Sequence, residues 1–149
     1  MALAIGSPAP AFTVKDTNGN TVSLADFAGK TVVLYFYPKD DTPGCTKEAC
    51  SFRDSYADYQ GKDVVVLGVS VDDETSHQQF TEKFNLPFPL LADVNAAMTN
   101  AYDVAVEKNG VLYAKRVTYV IDGSGIITHV YDTVNTETHA TDILADLGL

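Results

Sequence analysis

The feature that most constrains this chain is an unbroken apolar run, Thr31–Tyr37 (TVVLYFY), which passes directly into Pro38-Lys39-Asp40-Asp41-Thr42-Pro43-Gly44-Cys45. A run of β-branched and aromatic residues suits a strand buried on both faces, and such a strand needs cover on both sides of its sheet. Thr42-Pro43 then signals a helix start, with Thr at the N-cap and Pro at the first helical position. The pattern predicts a helix over Pro43–Tyr59, with Cys45, Ala49, Phe52, Tyr56 and Tyr59 sharing one side. A second apolar run, Asp63–Val71, predicts the next strand. Strand, helix and strand in that order pair in parallel through a right-handed crossover.

Around this unit, Phe12–Lys15 and Thr21–Leu24 flank Asp16-Thr17-Asn18-Gly19-Asn20, whose Asn-Gly is a hairpin signal. Ala25–Gly29 suits one helical turn. Thr75–Phe84 predicts a helix, Phe88–Ala92 a short strand or extended segment, and Ala96–Tyr102 a short helix. Lys115–Ile121 and Ile126–Tyr131 predict strands joined by the turn Asp122-Gly123-Ser124-Gly125. Thr138–Leu147 closes the chain as a helix, with Ala140, Ile143, Leu144 and Leu147 on one side. The expected fold class is therefore α/β and thioredoxin-like: a mixed central β-sheet flanked by helices, with an N-terminal β-hairpin. No repeat, low-complexity tract or linker divides the sequence, and its 149 residues suit a single domain over 1–149.

The formal net charge of −10 argues against nucleic acid or an anionic membrane surface as partner. The longest apolar run falls far short of the roughly 20 residues a membrane span requires. The N-terminus, Met-Ala-Leu-Ala-Ile-Gly, lacks the basic start and apolar stretch of a signal peptide, so a cytoplasmic protein is expected. Two cysteines are too few for a disulfide-stapled scaffold. In a reducing compartment the pair points to catalysis.

Cys45 falls in the first turn of the predicted helix, where free N–H groups and the helix dipole favour a thiolate. It also continues the apolar stripe, as an inert packed cysteine would, but the Pro, Thr, Pro and Gly around it are not core residues. The Thr42 hydroxyl is expected within reach of the sulfur, whether or not it also caps the helix. Cys50 lies off the stripe, near the helix edge. Residues five apart in a helix have Cα atoms about 8.6 Å apart, whereas a disulfide needs them within about 7 Å. If the two thiols join, the first turns of the helix must unwind. Far downstream, Arg116 opens an otherwise apolar strand, where an arginine is unexpected without a partner.

Pro38, Thr42 and Cys45 match the Pro-x-x-x-Thr-x-x-Cys signature of peroxiredoxins, and a second cysteine five residues on resembles their Q subfamily, the bacterioferritin-comigratory-protein type. The likeness extends through Gly6–Phe12, Val32–Cys50, Ala101-Tyr102-Asp103-Val104 and Arg116–Gly123. It implies a thioredoxin-dependent peroxidase acting on hydrogen peroxide and organic hydroperoxides without a cofactor. Cys45 would be the peroxidatic cysteine, oxidised to a sulfenic acid, and Cys50 the resolving cysteine, forming an intramolecular disulfide that thioredoxin or a similar dithiol reduces. Thr42 would hydrogen-bond thiolate and peroxide, and Pro38 would shelter the site. Arg116 would stabilise the thiolate and the charge developing on the peroxide oxygens, with Glu48 in the same polar network. A monomer is expected, since the disulfide forms within one chain.

Two other readings fit less well. A disulfide oxidoreductase of the thioredoxin type would use Cys-x-x-Cys, and this chain has Cys-x-x-x-x-Cys. It would also carry a proline just before the strand Lys115–Ile121, and none is present. A metal site could draw on the cysteines with His77, His129 and His139, but no ligand spacing supports it. His77 shares a stripe with Phe80 and Phe84 and reads as packed. His129 and His139 read as ordinary strand and helix positions, and Asp40-Asp41 and Asp72-Asp73-Glu74 as solvated acidic loops.

Overall fold

The computed structural model describes residues 2–148. In chain order the strands are β1 (Thr13–Asp16), β2 (Thr21–Ser23), β3 (Thr31–Phe36), β4 (Val64–Ser70), β5 (Leu90–Ala92), β6 (Ala105–Lys108), β7 (Val111–Ala114), β8 (Val117–Ile121) and β9 (Ile127–Tyr131). The α-helices are α1 (Pro43–Gly61), α2 (Glu74–Phe84), α3 (Ala97–Ala101) and α4 (His139–Asp146), and a 3-10 turn spans Leu24–Phe27. One mixed sheet runs β2-β1-β5-β4-β3-β8-β9. β3 pairs in parallel with β4 and antiparallel with β8, and β4 pairs in parallel with β5, so both crossovers through α1 and α2 are parallel connections. This is the thioredoxin-like arrangement the element order predicts.

β3 is buried on both faces, because alternate residues enter two separate clusters. Val33, Tyr35 and Tyr37 pack with Cys45, Ala49, Phe52 and Tyr59 of α1 and with Ala140 and Ile143 of α4. Val32, Leu34 and Phe36 face Tyr102, Val104 and Tyr119 on the other side. Each apolar side chain of this size contributes about 1.5–3 kcal/mol when fully buried. Opposite Tyr35 in the ladder stands Gly68, where a Cβ would lie 2.7 Å from both the Tyr35 ring and Leu90. The second strand of the core can pass that ring only as glycine.

A hairpin that the hydrophobic pattern does not predict joins β6 to β7, with Lys108 opposite Val111. Its turn residues Asn109 and Gly110 both have positive φ, 53° and 78°, as a two-residue hairpin turn of type I′ requires. Arg116 differs from expectation as well. It lies on a bend, and the strand begins at Val117. Val117 pairs with Phe36, so Arg116 emerges at the end of the sheet's inner strands, where β3 stops and α1 begins. The pairing register thus brings together two residues 71 positions apart in sequence.

Candidate active site

α1 starts where the sequence predicts, with Thr42 extended at the N-cap and Pro43 first in the helix. The Thr42 side chain does not cap, however. Its hydroxyl donates to the Lys39 carbonyl at 2.9 Å, folding the Pro38–Thr42 turn onto itself. Cys45 lies in the first turn, 1% exposed, with its sulfur on the inner face of the helix. Pro38 is half-buried at the end of β3, and Cys50 is half-buried on α1. Both cysteines are free thiols within one continuous helix.

Arg116 completes the site. Its Nη2 donates to Cys45 Sγ at 3.2 Å, and its Nη1 donates to Glu48 Oε1 at 2.7 Å. A planar guanidinium can serve both acceptors at once, which a lysine ammonium cannot reproduce. Gly44 makes room for it, since a Cβ there would stand 3.0 Å from Nη2. Glu48 is fully buried on the same face of α1 as Cys45 and Ala49. Burial pushes the Glu48 carboxyl up to about 7, while the charge and hydrogen bond of Arg116 pull the other way. The structure thus joins Cys45 and Glu48 through Arg116, which contacts both. It leaves Thr42 bonded within its own turn and Cys50 one helical turn and more beyond.

One neighbour that the sequence reads only as an ordinary helix position is His139, at the start of α4. It is 2% exposed; its Nε2 lies 2.8 Å from Thr118 Oγ1 and 3.7 Å from Glu48 Oε2. Burial pushes its imidazole down to about 4, against the pull of Asp142 and together with Arg116. The available signal was its place beside Ala140 and Ile143 on the apolar side of α4. The acidic loops are also not simply solvated: Asp40 is buried, and Asp73 caps α2 by accepting from Ser76 N at 2.8 Å. Among the described residues, no group of three or more His, Cys, Asp or Glu side chains is placed to hold a metal ion. No helix is long and apolar enough there to cross a membrane.

A thiol in the first turn of a helix, held against a guanidinium at the strand ends of a thioredoxin-like sheet, defines a protein of thiol redox chemistry. The description "AhpC/TSA family" matches residues 5–130. Peroxiredoxin Bcp of Bacillus subtilis is 44% identical over 151 residues, covering 99% of this chain and 96% of its own. Chloroplastic peroxiredoxin Q of Triticum aestivum is 48% identical over 127 residues, 85% of this chain and 58% of its own. Among solved structures, a cysteine-to-serine mutant of Xylella fastidiosa PrxQ has a TM-score of 0.93 at 30% identity, covering 99% of this chain and 97% of its own. The chain belongs to the AhpC/TSA family and, within it, to the peroxiredoxins of the Bcp/Q type, thiol peroxidases.

Proposed function

We propose that Cys45 is the peroxidatic cysteine and Cys50 the resolving cysteine of a hydroperoxide reductase recycled by thioredoxin or a similar dithiol. The observation that carries this reading is the contact between Arg116 Nη2 and Cys45 Sγ at the N-terminus of α1. The Cys45 thiolate attacks the terminal oxygen of hydrogen peroxide or an organic hydroperoxide. A sulfur–oxygen bond forms as the oxygen–oxygen bond breaks, and the departing oxygen takes a proton to leave as water or alcohol. Arg116 stabilises negative charge on sulfur before the attack and on the peroxide oxygens during it. Pro38 and Thr42 shape the peroxide side of the sulfur, and Glu48 keeps the guanidinium in place.

The Cys45 sulfenic acid then accepts attack by the Cys50 thiolate, forming a disulfide and releasing water. Both sulfurs lie in one unbroken helix, five residues apart, so α1 must unwind locally before they meet. A dithiol reductant restores both thiols by exchange. Because resolution takes place within one chain, the cycle needs no second copy, and we infer a monomer acting in the cytoplasm.

Peroxide turnover with a thioredoxin system tests this reading. Cys45→Ser is expected to abolish turnover. Cys50→Ser is expected to allow one oxidation of Cys45, after which thioredoxin-dependent turnover is slow. Full activity of Cys45→Ser would overturn the assignment.

A further inference from the structure

Asp40 lies in the loop that carries Pro38 and Thr42, and its carboxylate is tied to three side chains. Tyr37 donates its hydroxyl to Oδ1, Ser76 donates to Oδ2 at 2.8 Å, and His77 Nδ1 stands 2.7 Å from the same Oδ2. Its backbone N–H donates to Asp72 Oδ2 at 2.8 Å, and that carboxylate also accepts from Ser70 Oγ at 2.7 Å. On the far side of the imidazole, His77 Nε2 lies 2.9 Å from the Leu91 carbonyl. His77 is fully buried and Asp40 nearly so. The Asp40 carboxylate thus ties the loop after β3 to α2, the His77 ring carries the link on to β5, and the Asp40 backbone joins the loop to the segment after β4.

The proton count of this cluster follows from its acceptors. A carbonyl oxygen only accepts, so His77 Nε2 carries a proton. At 2.7 Å, Nδ1 and Asp40 Oδ2 share a second one, because a bare lone pair on each side would repel. Tyr37 and Ser76 supply their own hydrogens. Burial, and after it the charge of Asp40, push the Tyr37 hydroxyl well above its ordinary value, so it remains a donor. The ionisable side chains that act on the pair include Tyr37 from the end of β3, Tyr35 farther back on that strand and, through the Asp40 backbone, Asp72 from the loop before α2.

We propose that Asp40 and His77 are positioning residues, a buried proton-sharing pair that holds the Pro38–Thr42 loop in place for the reaction of Cys45 with peroxide. The inference rests on Cys45 being the peroxidatic cysteine. Thr42 is bonded to Lys39 inside the loop, so its place relative to the sulfur is set by whatever anchors the turn. Asp40 supplies the buried anchor. The outer one, Asp41 with Lys83 at 2.8 Å, is an exposed ion pair and holds weakly. α1 begins only at Pro43, so the loop can stay fixed while the first turns of the helix unwind.

Nitrogen-15 NMR of the wild-type protein and single-turnover oxidation of Cys45 by hydrogen peroxide test the pair together. The His77 ring is expected to show a proton on Nε2 and a second one shared between Nδ1 and Asp40. Asp40→Ala is expected to slow Cys45 oxidation about tenfold or more, as a misplaced reacting group does. The Cys45–Cys50 disulfide should then form at the wild-type rate. Asp40→Asn can donate to a neutral His77 through its amide, and is expected to stay within about threefold of wild type. The absence of a shared proton between Nδ1 and Asp40 in the wild type, or slowing in Asp40→Asn equal to that in Asp40→Ala, would overturn the proposal. So would wild-type oxidation in a folded Asp40→Ala. A wild-type protein whose Cys45 fails to react with peroxide would instead overturn the peroxidatic assignment.

Discussion

Glu48 Oε2 stands 3.7 Å from His139 Nε2, and the two buried groups face each other without bonding. The imidazole nitrogen is engaged with Thr118, while Glu48 Oε2 has no hydrogen-bond partner among the described residues. Burial drives both toward their uncharged forms, Glu48 by rising to about 7 and His139 by falling to about 4. The cluster behind the sulfur therefore keeps one fixed charge, Arg116, and one carboxyl that changes state near neutrality.

This pair sets a pH dependence of stability with two opposed parts. Folded Glu48 holds its proton up to about 7 against an ordinary value of 4.5, so its contribution is fully present below about 4.5 and is lost as pH rises through 7. Folded His139 gives up its proton early, so its contribution is present above about 6.5 and is lost as pH falls through 4. Glu48→Gln removes the first part and keeps the second. Relative to wild type, that variant is expected to gain about 3 kcal/mol between pH 5 and pH 8. Thermal unfolding of both proteins across this range measures it; parallel curves would rule out a titrating Glu48.

Arg116→Lys keeps a positive charge but offers one compact ammonium in place of a fork that spans sulfur and carboxylate. Losing one such donor to a developing charge typically slows the chemical step 10²–10³-fold. A reduction of about 10²-fold in the rate of Cys45 oxidation is expected, with Arg116→Met lower still. Stopped-flow oxidation of the thiol reads this directly, and a rate within twofold of wild type for Arg116→Lys would show that charge alone suffices.

Gly44→Ala separates activity from stability. The position is helical, so alanine fits the backbone and favours the helix. The added methyl would stand 3.0 Å from Arg116 Nη2 and push the guanidinium off the sulfur. Unfolding temperature is expected to stay level or rise while kcat/KM for peroxide falls about tenfold. A variant that is both stable and fully active would show that the guanidinium can move aside without loss.

The sheet and the helix through Cys45 were legible because their signals are local: the TVVLYFY run, the Thr-Pro start and the apolar stripe of α1. The β6–β7 hairpin escaped a reading based on burial because half of its strand residues are exposed and only Ala114 is buried. Only its Asn109-Gly110 turn marks it, the same dipeptide that flags the first hairpin. Arg116 was legible as an anomaly, but its partners follow from the register of β8 on β3, which no local pattern contains. His139 read as an ordinary helix position, and Asp40 as part of a solvated loop, for a related reason. A histidine or an aspartate in a loop or first turn looks solvated until packing supplies the groups that enclose it.

The unwinding of α1 that we propose for resolution has identifiable opponents. The backbone N–H of Ala140, at the start of α4, donates to Ser51 Oγ at 3.1 Å, and Tyr59 donates to the Ala140 carbonyl at 2.7 Å. Ser51 directly follows Cys50, so a helix opened far enough to free Cys50 strains this bond first. Ser51→Ala removes the acceptor, and a hydrogen bond of this kind is worth about 1 kcal/mol. Disulfide formation after peroxide treatment is therefore expected to accelerate about fivefold, with the rate of Cys45 oxidation unchanged. Lys47 and Glu137 also join the two segments, at 3.4 Å, but both are exposed, and Lys47→Ala is expected to alter neither rate measurably. Rapid-quench measurement of the two steps separates them. Unchanged disulfide formation in Ser51→Ala would mean that α1 opens without leaving α4.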